Sequence, residues 1–145
     1  MSDRRILRVI DANLNRSREG LRVCEEIARF ILKDKSLREQ LKKARHEING
    51  CVPALPVSVG QLFACRNVWG DFGKKPHRLE RRRTGISDLF LANAQRTKES
   101  LRTLEEASKI LGGRAHEKFK KIRFKVYAIE KKALPKLETI CDHGP

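Results

Sequence analysis

The chain lacks the signatures by which membrane proteins, disulfide folds and many nucleotide-binding enzymes are recognised. Aromatic residues make up only 6% of its 145 residues, and no apolar run approaches the roughly twenty residues that span a membrane. The four cysteines include no C-x-x-C pair, and the four histidines show no metal-ligand spacing. Neither a G-x-x-x-x-G-K-[ST] loop nor a G-x-G-x-x-G motif is present. We therefore expect no membrane span, no disulfide framework and no transition-metal site.

Acidic residues are scarce relative to basic ones. The chain has 33 Lys and Arg against 18 Asp and Glu, a formal net charge of +15. Such a charge indicates an anionic partner: nucleic acid, an acidic membrane surface or a phosphorylated small molecule. The abundance of Leu, Ile, Ala, Glu, Lys and Arg favours an all-α fold. The first residues, MSDRRILRVIDANLNR, lack the apolar core of a signal peptide, which predicts a cytoplasmic protein.

The strongest positive signal is an internal repeat. The segment 11–32, DANLNRSREGLRVCEEIARFIL, recurs at 91–112 as LANAQRTKESLRTLEEASKILG, at a fixed offset of 80 residues. A repeat that served the fold alone would preserve only its apolar pattern. Here most of the identical residues are polar, which suggests that the two copies share a function. The identical positions are Ala12/Ala92, Asn13/Asn93, Arg16/Arg96, Glu19/Glu99, Leu21/Leu101, Arg22/Arg102, Glu25/Glu105 and Glu26/Glu106.

A helical wheel, at about 100° per residue, gives the first copy one apolar stripe. Asn13 falls inside this stripe and Arg16 on its edge, so both are predicted to project toward the interior, where they need polar partners. One interpretation is a structural network in which Asn and Arg of one repeat pair with Glu of the other. The other is a polar cleft between the repeats, lined by Asn13, Arg16, Asn93, Arg96 and the flanking Glu residues. The sequence leaves both open.

The repeated unit is predicted to be a helix hairpin. The segment LKKAR of the second helix resembles FKKIR of the fourth, with Arg45 and Arg123 at equivalent positions. The prediction is a single domain over 1–145 whose duplicated helix hairpin forms a four-helix bundle. Its parts are hairpin repeat 1 at about 3–49, a long ordered central loop at about 50–85 and hairpin repeat 2 at about 86–139. Pro135 is expected to interrupt the last helix near its end.

The central loop carries Pro and Gly residues together with the only Trp of the chain. A loop of this length inside a compact domain is usually functional or disordered. We predict an ordered loop with Trp69 as a plug in the core. The run LERRR at 79–83 is predicted to be a solvated face, with phosphate collection as the alternative.

The repeated Arg, Asn and Glu side chains suit phosphate chemistry. Arg binds phosphate oxygens in a bidentate manner, and carboxylates hold Mg²⁺ between phosphates. Phosphoryl transfer requires mainly positioning and charge neutralisation. For Arg22, Arg102, Glu25 and Glu105 we instead expect surface ion pairs, worth a few tenths of a kcal/mol each. Arg45 and Arg123 are open between structure and site.

Three motifs together resemble a known family. They are R-I-x-x-x-x-D-A-N-x-N-R-x-R-E-G-L-R-V-x-E-E-x-A-R-F at 5–30, R-x-x-x-x-D-x-G at 66–73, and A-N-x-x-R-x-x-E-x-L-R-x-L-E-E at 92–106. They cover most of the chain in order and are similar to the small hydroxymethylpyrimidine-phosphate kinases of thiamine biosynthesis. Those occur standalone or fused in front of thiamine-phosphate synthase. The resemblance implies ATP-dependent, Mg²⁺-dependent phosphorylation of 4-amino-5-hydroxymethyl-2-methylpyrimidine phosphate to the diphosphate.

The resemblance also implies roles for individual residues. Arg16, Arg66 and Arg96 are predicted to clamp substrate and ATP phosphates, and Asn13 and Asn93 to read the pyrimidine or orient phosphate. Asp71, Glu19 and Glu99 are the candidate catalytic residues, and the Mg²⁺ ligands stay unassigned. Glu26, Glu106 and Asn67 are supporting or metal candidates. The chain departs from the family pattern at Asn67, usually Asp, and at Lys74, often Thr, so a role for a carboxylate at position 67 is put in doubt.

Three other functions remain open. A basic helical nucleic-acid-binding protein would explain the charge, although it leaves the repeated Glu unexplained. An all-helical mutase of the chorismate type also uses Arg, Lys and Glu but predicts no duplication. A four-helix interaction module without catalytic activity would need Asn13 and Arg16 only for stability. We further expect a homodimer, because a four-helix core with much amphipathic surface often pairs.

Overall fold

The computed structural model describes residues 3–74 and 82–142, with the side chains of 141 and 142 excepted. These residues are all-helical, as predicted, and contain no strand. Short π- or 3₁₀-helical turns lie at Ile27–Ile31, Val52–Ala54 and Phe72–Lys74. Residues 75–81, which include positions 79–81 of the run at 79–83, lie outside the described part, whereas Arg82 and Arg83 are described and exposed. The α-helices are α1 (Arg4–Glu26), α2 (Lys35–Cys51), α3 (Val59–Ala64), α4 (Ile86–Leu111) and α5 (Ala115–Asp142).

Local signals set the helix ends. Asp3 caps α1, because its carboxylate accepts the backbone N–H of Arg5 at 2.8 Å. Asp34 caps α2 in the same way, accepting the N–H of Leu37 at 2.9 Å. Beyond the end of α4, Gly112 has a φ of 85°, a left-handed conformation that glycine adopts without steric cost. Helix α5 passes through Pro135 and continues to Asp142, so the predicted interruption is wrong.

The four long helices form the bundle that the repeat predicts. Helix α1 packs against α2 and α4, and α5 packs against the same two helices from the other side. The core between them is filled by large apolar side chains with at most 1% exposure, among them Ile10, Leu21, Phe90, Leu101 and Phe119. The single-domain boundary over 1–145 stays a prediction. No helix in the described residues is long and apolar enough to cross a membrane.

Helices α1 and α4 run antiparallel and cross at equivalent residues of the two repeats. The Thr97 hydroxyl donates to the backbone oxygen of Ser17 at 3.2 Å, and one end of the contact joins the Cys24 thiol to the Phe90 oxygen at 3.4 Å. Since Ser17 and Thr97 are equivalent, the crossing is the centre of an approximate twofold relation. Gly20 makes this close approach possible, because an added Cβ would lie only 2.7 Å from the Asn93 backbone oxygen.

Each hairpin is held by the same buried ion pair. Glu25 is 1% exposed, and its carboxylate accepts the Nε of Arg45 at 2.9 Å. Glu105 is 4% exposed and accepts an Nη of Arg123 at 3.1 Å. The expected pairs of Glu25 with Arg22 and of Glu105 with Arg102 are present, at 3.8 and 3.3 Å, but both glutamates are buried, so their expected place on the surface is wrong. Arg45 and Arg123, left open between structure and site, form the buried ion pairs. The helical wheel of α1 does not predict the burial of Glu25, because the arginine that pairs with the glutamate comes from the second helix of each hairpin.

Candidate functional site

Two adjoining clefts open where the central loop crosses α1 and α4. The larger cleft has a volume of about 690 Å³ and the smaller about 440 Å³. They share Asn13, Arg16 and Asp71. The larger is otherwise lined by Arg5, Arg8, Val9, Asp11, Ala12, Asn15, Glu19, Arg66, Asn67 and Val68. The smaller is otherwise lined by Gly73, Lys74, Arg96, Glu99, Ser100 and Thr103.

Arg16 and Arg96 meet at the smaller cleft, one residue before the crossing point of their helices. Both side chains are exposed, so the prediction that Arg16 projects into the interior is wrong. Within residues 3–74 and 82–142, neither guanidinium forms an ion pair or hydrogen bond with another residue. The structural network that would pair these arginines with Glu of the other repeat is therefore not found there. Two like charges without a protein anion between them suit an anionic ligand.

Asn13 and Asn93 make equivalent hydrogen bonds, but only Asn13 lines the clefts. The Asn13 amide donates to the Val9 backbone oxygen at 2.8 Å, and that of Asn93 donates to the Leu89 oxygen at 2.8 Å. Asn13 is 7% exposed and lines both clefts. Asn93 lines neither cleft, so the structure brings only one of the two predicted amides to the site.

Arg66 reaches the larger cleft from the loop and is held there by Asp11 of α1. Its Nε donates to Asp11 Oδ2 at 2.6 Å and its Nη2 to Asp11 Oδ1 at 2.9 Å. This bidentate bond to Asp11 raises the pKa of Arg66 further above its usual value. The guanidinium also stacks on the Phe63 ring, with its central carbon 3.9 Å from the ring centre. Arg66 is thus partly neutralised, unlike Arg16 and Arg96.

Asp11 is the site residue that sequence reasoning missed. Asp11 lies off the apolar stripe of α1, but its side chain is only 6% exposed because the central loop covers it. A signal was present in the repeat. Position 11 carries Asp in the first copy, whereas the second copy has Leu91. A charged residue that occurs in only one copy of a repeat indicates that this copy contacts a partner absent from the other copy.

The three candidate catalytic carboxylates are distributed over the two clefts. Asp71 lines both, Glu19 only the larger and Glu99 only the smaller. The Asp71 carboxylate accepts the Gly73 N–H at 2.8 Å, which shapes the loop. Among the described residues no three His, Cys, Asp or Glu side chains gather into a group that could hold a metal. Any Mg²⁺ here would take most of its ligands from water and phosphate oxygens, as Mg²⁺ commonly does.

The supporting candidates divide in the same way. Asn67 lines the larger cleft, where its side-chain oxygen accepts the Gly70 N–H at 2.9 Å and closes a tight turn. Glu26 and Glu106 line neither cleft. They pair with Arg22 at 3.2 Å and with Arg102 at 3.0 Å on the outer faces of α1 and α4. Both copies therefore form the same helix-surface ion pair at this position.

The loop exposes its aromatic residues instead of burying them. Trp69 is 87% exposed and Phe72 is fully exposed, so the prediction of Trp69 as a core plug is wrong. Lys74 Nζ lies 4.8 Å from the centre of the indole ring and donates to the Trp69 backbone oxygen at 3.4 Å. The only Trp of the chain therefore sits in solvent on the loop that borders both clefts.

The described cysteines take no part in the site. Cys24, Cys51 and Cys65 are buried free thiols. Burial raises the pKa of Cys24 to about 12 and that of Cys51 to about 11. Both side chains therefore stay protonated at neutral pH and pack as apolar groups.

Fold and site together define a class: a basic helical bundle, built from two hairpins, with a cationic cleft at the crossing of its repeated helices. The profile of the ThiD2 family matches residues 8–132, and the chain belongs to that family. This supports the part of the resemblance that points to thiamine biosynthesis. No solved structure matches the chain.

The chain is also similar to curated proteins named thiamine-phosphate synthase. It is 39% identical to one from Synechocystis sp. over 126 residues, which cover 86% of the chain and 35% of that protein. It is 40% identical to one from Rhodopirellula baltica over 126 residues, covering 86% of the chain and 33% of that protein. The relative from Nostoc punctiforme is 36% identical over the same length, covering 86% of the chain and 34% of that protein. The chain thus spans about a third of the length of these relatives.

These relatives correct two expectations. Thiamine-phosphate synthase is a different enzyme from a phosphomethylpyrimidine kinase, so the kinase activity taken from the resemblance is contradicted. The alternative of a nucleic-acid-binding or interaction protein without catalytic activity gains no support from the family or the relatives. ATP, Mg²⁺ and the roles of individual site residues stay predictions.

Proposed function

We propose that the chain binds a phosphorylated small molecule of thiamine biosynthesis in the two clefts and thereby serves the synthesis of thiamine phosphate. The observation that carries this proposal is the pair Arg16 and Arg96. Both line the smaller cleft, and neither has an anionic partner within the described residues. A phosphate group supplies the negative charge and several oxygens, pairs of which can accept bidentate hydrogen bonds from a planar guanidinium group.

The neighbouring groups favour a phosphate ester over a bare anion. Asn13 lies between the clefts and can orient a polar ring, while Asp71 can accept a hydrogen bond from a ligand hydroxyl or amine. A cleft of about 690 Å³ is within the usual range of small-molecule sites. A pyrimidine phosphate fits this combination of a ring and an anionic end. ATP with Mg²⁺ stays a second proposed ligand, because the two clefts share Arg16 and could hold two phosphate groups side by side.

The similarity to thiamine-phosphate synthase supports a place beside that enzyme. The chain corresponds to about a third of each relative, so we propose that it works as a ligand-binding unit in concert with a synthase. The cytoplasm stays a prediction of the sequence.

The exposed indole of Trp69 supplies a test, since it is the only Trp and follows Val68, which lines the larger cleft, while its own ring lines neither cleft. We would titrate the protein with hydroxymethylpyrimidine phosphate, its unphosphorylated alcohol, thiamine phosphate, Mg·ATP and inorganic phosphate. Trp fluorescence and calorimetry would be read in parallel. We expect saturable binding of at least one phosphate ester and none of the alcohol. Arg16→Ala should weaken that binding by about tenfold or more, as expected for a lost charge-assisted hydrogen bond.

The matched control is Arg114→Ala. Arg114 is 86% exposed in its side chain and lines neither cleft, so its loss should leave the affinity unchanged. An equal loss of affinity in both variants would contradict the proposed site, because it would show that binding depends only on the net charge of the protein. Equal binding of the alcohol and its phosphate, or no binding of any phosphate ester by folded protein, would contradict the proposal.

A further inference from the structure

The outer face of α5 carries a second, largely solvent-exposed stripe, which in the described structure is contacted at Tyr127 by Lys98 of α4. Its apolar members are Phe124, Tyr127 and Leu134, which are 53%, 47% and 40% exposed. At about 100° per residue they fall on one face together with Lys120, Lys131 and Glu138, well apart from the core-facing stripe. We call these six residues the α5 stripe. It extends over about 27 Å at 1.5 Å per residue.

The first hairpin serves as an internal control for this surface. With the alignment that superposes Arg45 on Arg123, the positions of Lys120, Phe124 and Tyr127 are occupied in α2 by Lys42, His46 and Asn49. The cation recurs, whereas the two aromatic residues are found only in α5. At these positions the apolar character of the stripe is therefore not shared between the two repeats.

The aromatic rings of the stripe are also held in place. Phe124 and Tyr127 contact each other with ring centres 6.4 Å apart. Lys98 of α4 lies 4.4 Å from the centre of the Tyr127 ring, while its ammonium pairs with Glu130 at 2.7 Å. Rigid aromatic groups lose little conformational entropy on binding, which is why they are common at interfaces.

We propose that this stripe is the seam of a homodimer in which α5 pairs antiparallel with α5 of a second copy. The sequence of the stripe is complementary to itself when the pairing is centred at residue 129. Lys120 then lies opposite Glu138, Phe124 opposite Leu134, and Tyr127 opposite Lys131. Each pair occurs twice, as the twofold symmetry of such an interface requires. Unlike charges, apolar groups and a cation with an aromatic ring thus meet across the seam.

One helix pair of this length buries less surface than a permanent dimer, so we expect a dissociation constant on the order of 10 μM. Sedimentation equilibrium over about 1 to 500 μM should show the mass rising from the 16.7 kDa of one chain to twice that value. The dimer should strengthen between about 0.15 and 0.5 M salt, because salt screens the repulsion between two chains of charge +15. A monomer throughout this range would overturn the proposal.

Variants distinguish this seam from any other contact. Leu134→Glu should raise the dissociation constant at least about tenfold, since it sets a charge against Phe124. Ile110→Glu is the control, because Ile110 is 70% exposed at the end of α4, outside the stripe. Lys120→Glu and Glu138→Lys should each weaken the dimer by placing like charges opposite each other, and the double variant should recover it. Dimerisation unaffected by Leu134→Glu, or no recovery in the double variant, would refute the antiparallel seam.

Discussion

The two hairpins are stabilised by the same buried ion pair but differ in their contacts with the central loop. Glu25 with Arg45 and Glu105 with Arg123 are the same buried ion pair made twice. At position 11 the first hairpin instead has an aspartate that anchors Arg66 of the loop, where the second has Leu91. The duplication thus preserves the ion pair that stabilises each hairpin, whereas the aspartate that anchors Arg66 is present in the first hairpin only. Helices α1 and α4 are related by an approximate twofold axis, but the two clefts lie only where the loop crosses them.

The largest expected effect tests what the hairpins share. Glu25→Ala should lower the free energy of unfolding by about 3 to 5 kcal/mol, because it leaves the largely buried Arg45 without its counter-charge. Glu105→Ala should have a similar effect through Arg123. Glu25 also has Arg22 and Arg38 at 3.8 Å, whereas Glu105 has Arg102 at 3.3 Å. Urea denaturation followed by circular dichroism measures both.

The adjacent residues provide the control for this prediction. Glu26→Ala and Glu106→Ala remove half-exposed ion pairs and should cost less than about 1 kcal/mol. If Glu25→Ala were as mild as Glu26→Ala, the buried pair would not be a determinant of stability. A large effect in one hairpin alone would break the equivalence of the two repeats.

A smaller effect tests where the repeats differ at their crossing. Gly20→Ser should destabilise the protein by about 2 kcal/mol, because the new Cβ meets the Asn93 backbone and forces α1 and α4 apart. The reverse change at the equivalent position, Ser100→Gly, removes only a bond to the Arg96 oxygen and should cost about 1 kcal/mol. Thermal and urea unfolding of both variants give the comparison. A Gly20→Ser variant as stable as the parent would show that the crossing is not tightly packed.

The smallest effect on global stability tests the attachment of the loop. Asp11→Asn should change the free energy of unfolding by about 1 kcal/mol or less, since Arg66 is partly exposed. Locally the change should be larger. Amide hydrogen exchange of residues 66–74, read by mass spectrometry, should speed up because Arg66 loses its bidentate partner. The control is Leu91→Asn in the second repeat, which should leave exchange in this segment unaltered. Equal exchange in Asp11→Asn and the parent would show that other contacts hold the loop.

Sequence reasoning worked best where local pattern decides. The all-helical class follows from composition, and the hairpin duplication follows from the repeat and the helix periodicity. It was wrong for residues whose surroundings come from distant segments. Glu25 is buried by α2, Asp11 by the loop, and Trp69 is left outside the core. The resemblance led to the right pathway, but the curated relatives correct the reaction drawn from it.

The sequence by itself determined the helices, their duplication and the polar groups available to a site, because helix periodicity and repeat identity are properties of neighbouring residues. Only the tertiary structure decided which of those groups meet. Arg16 and Arg96 lie 80 positions apart and share a cleft because their helices cross antiparallel beside them. Arg66 is tied to Asp11 by the path of a loop, and no spacing along the chain encodes that distance. Burial and charge pairing depend on what a second segment places opposite a residue, and that requires the folded chain.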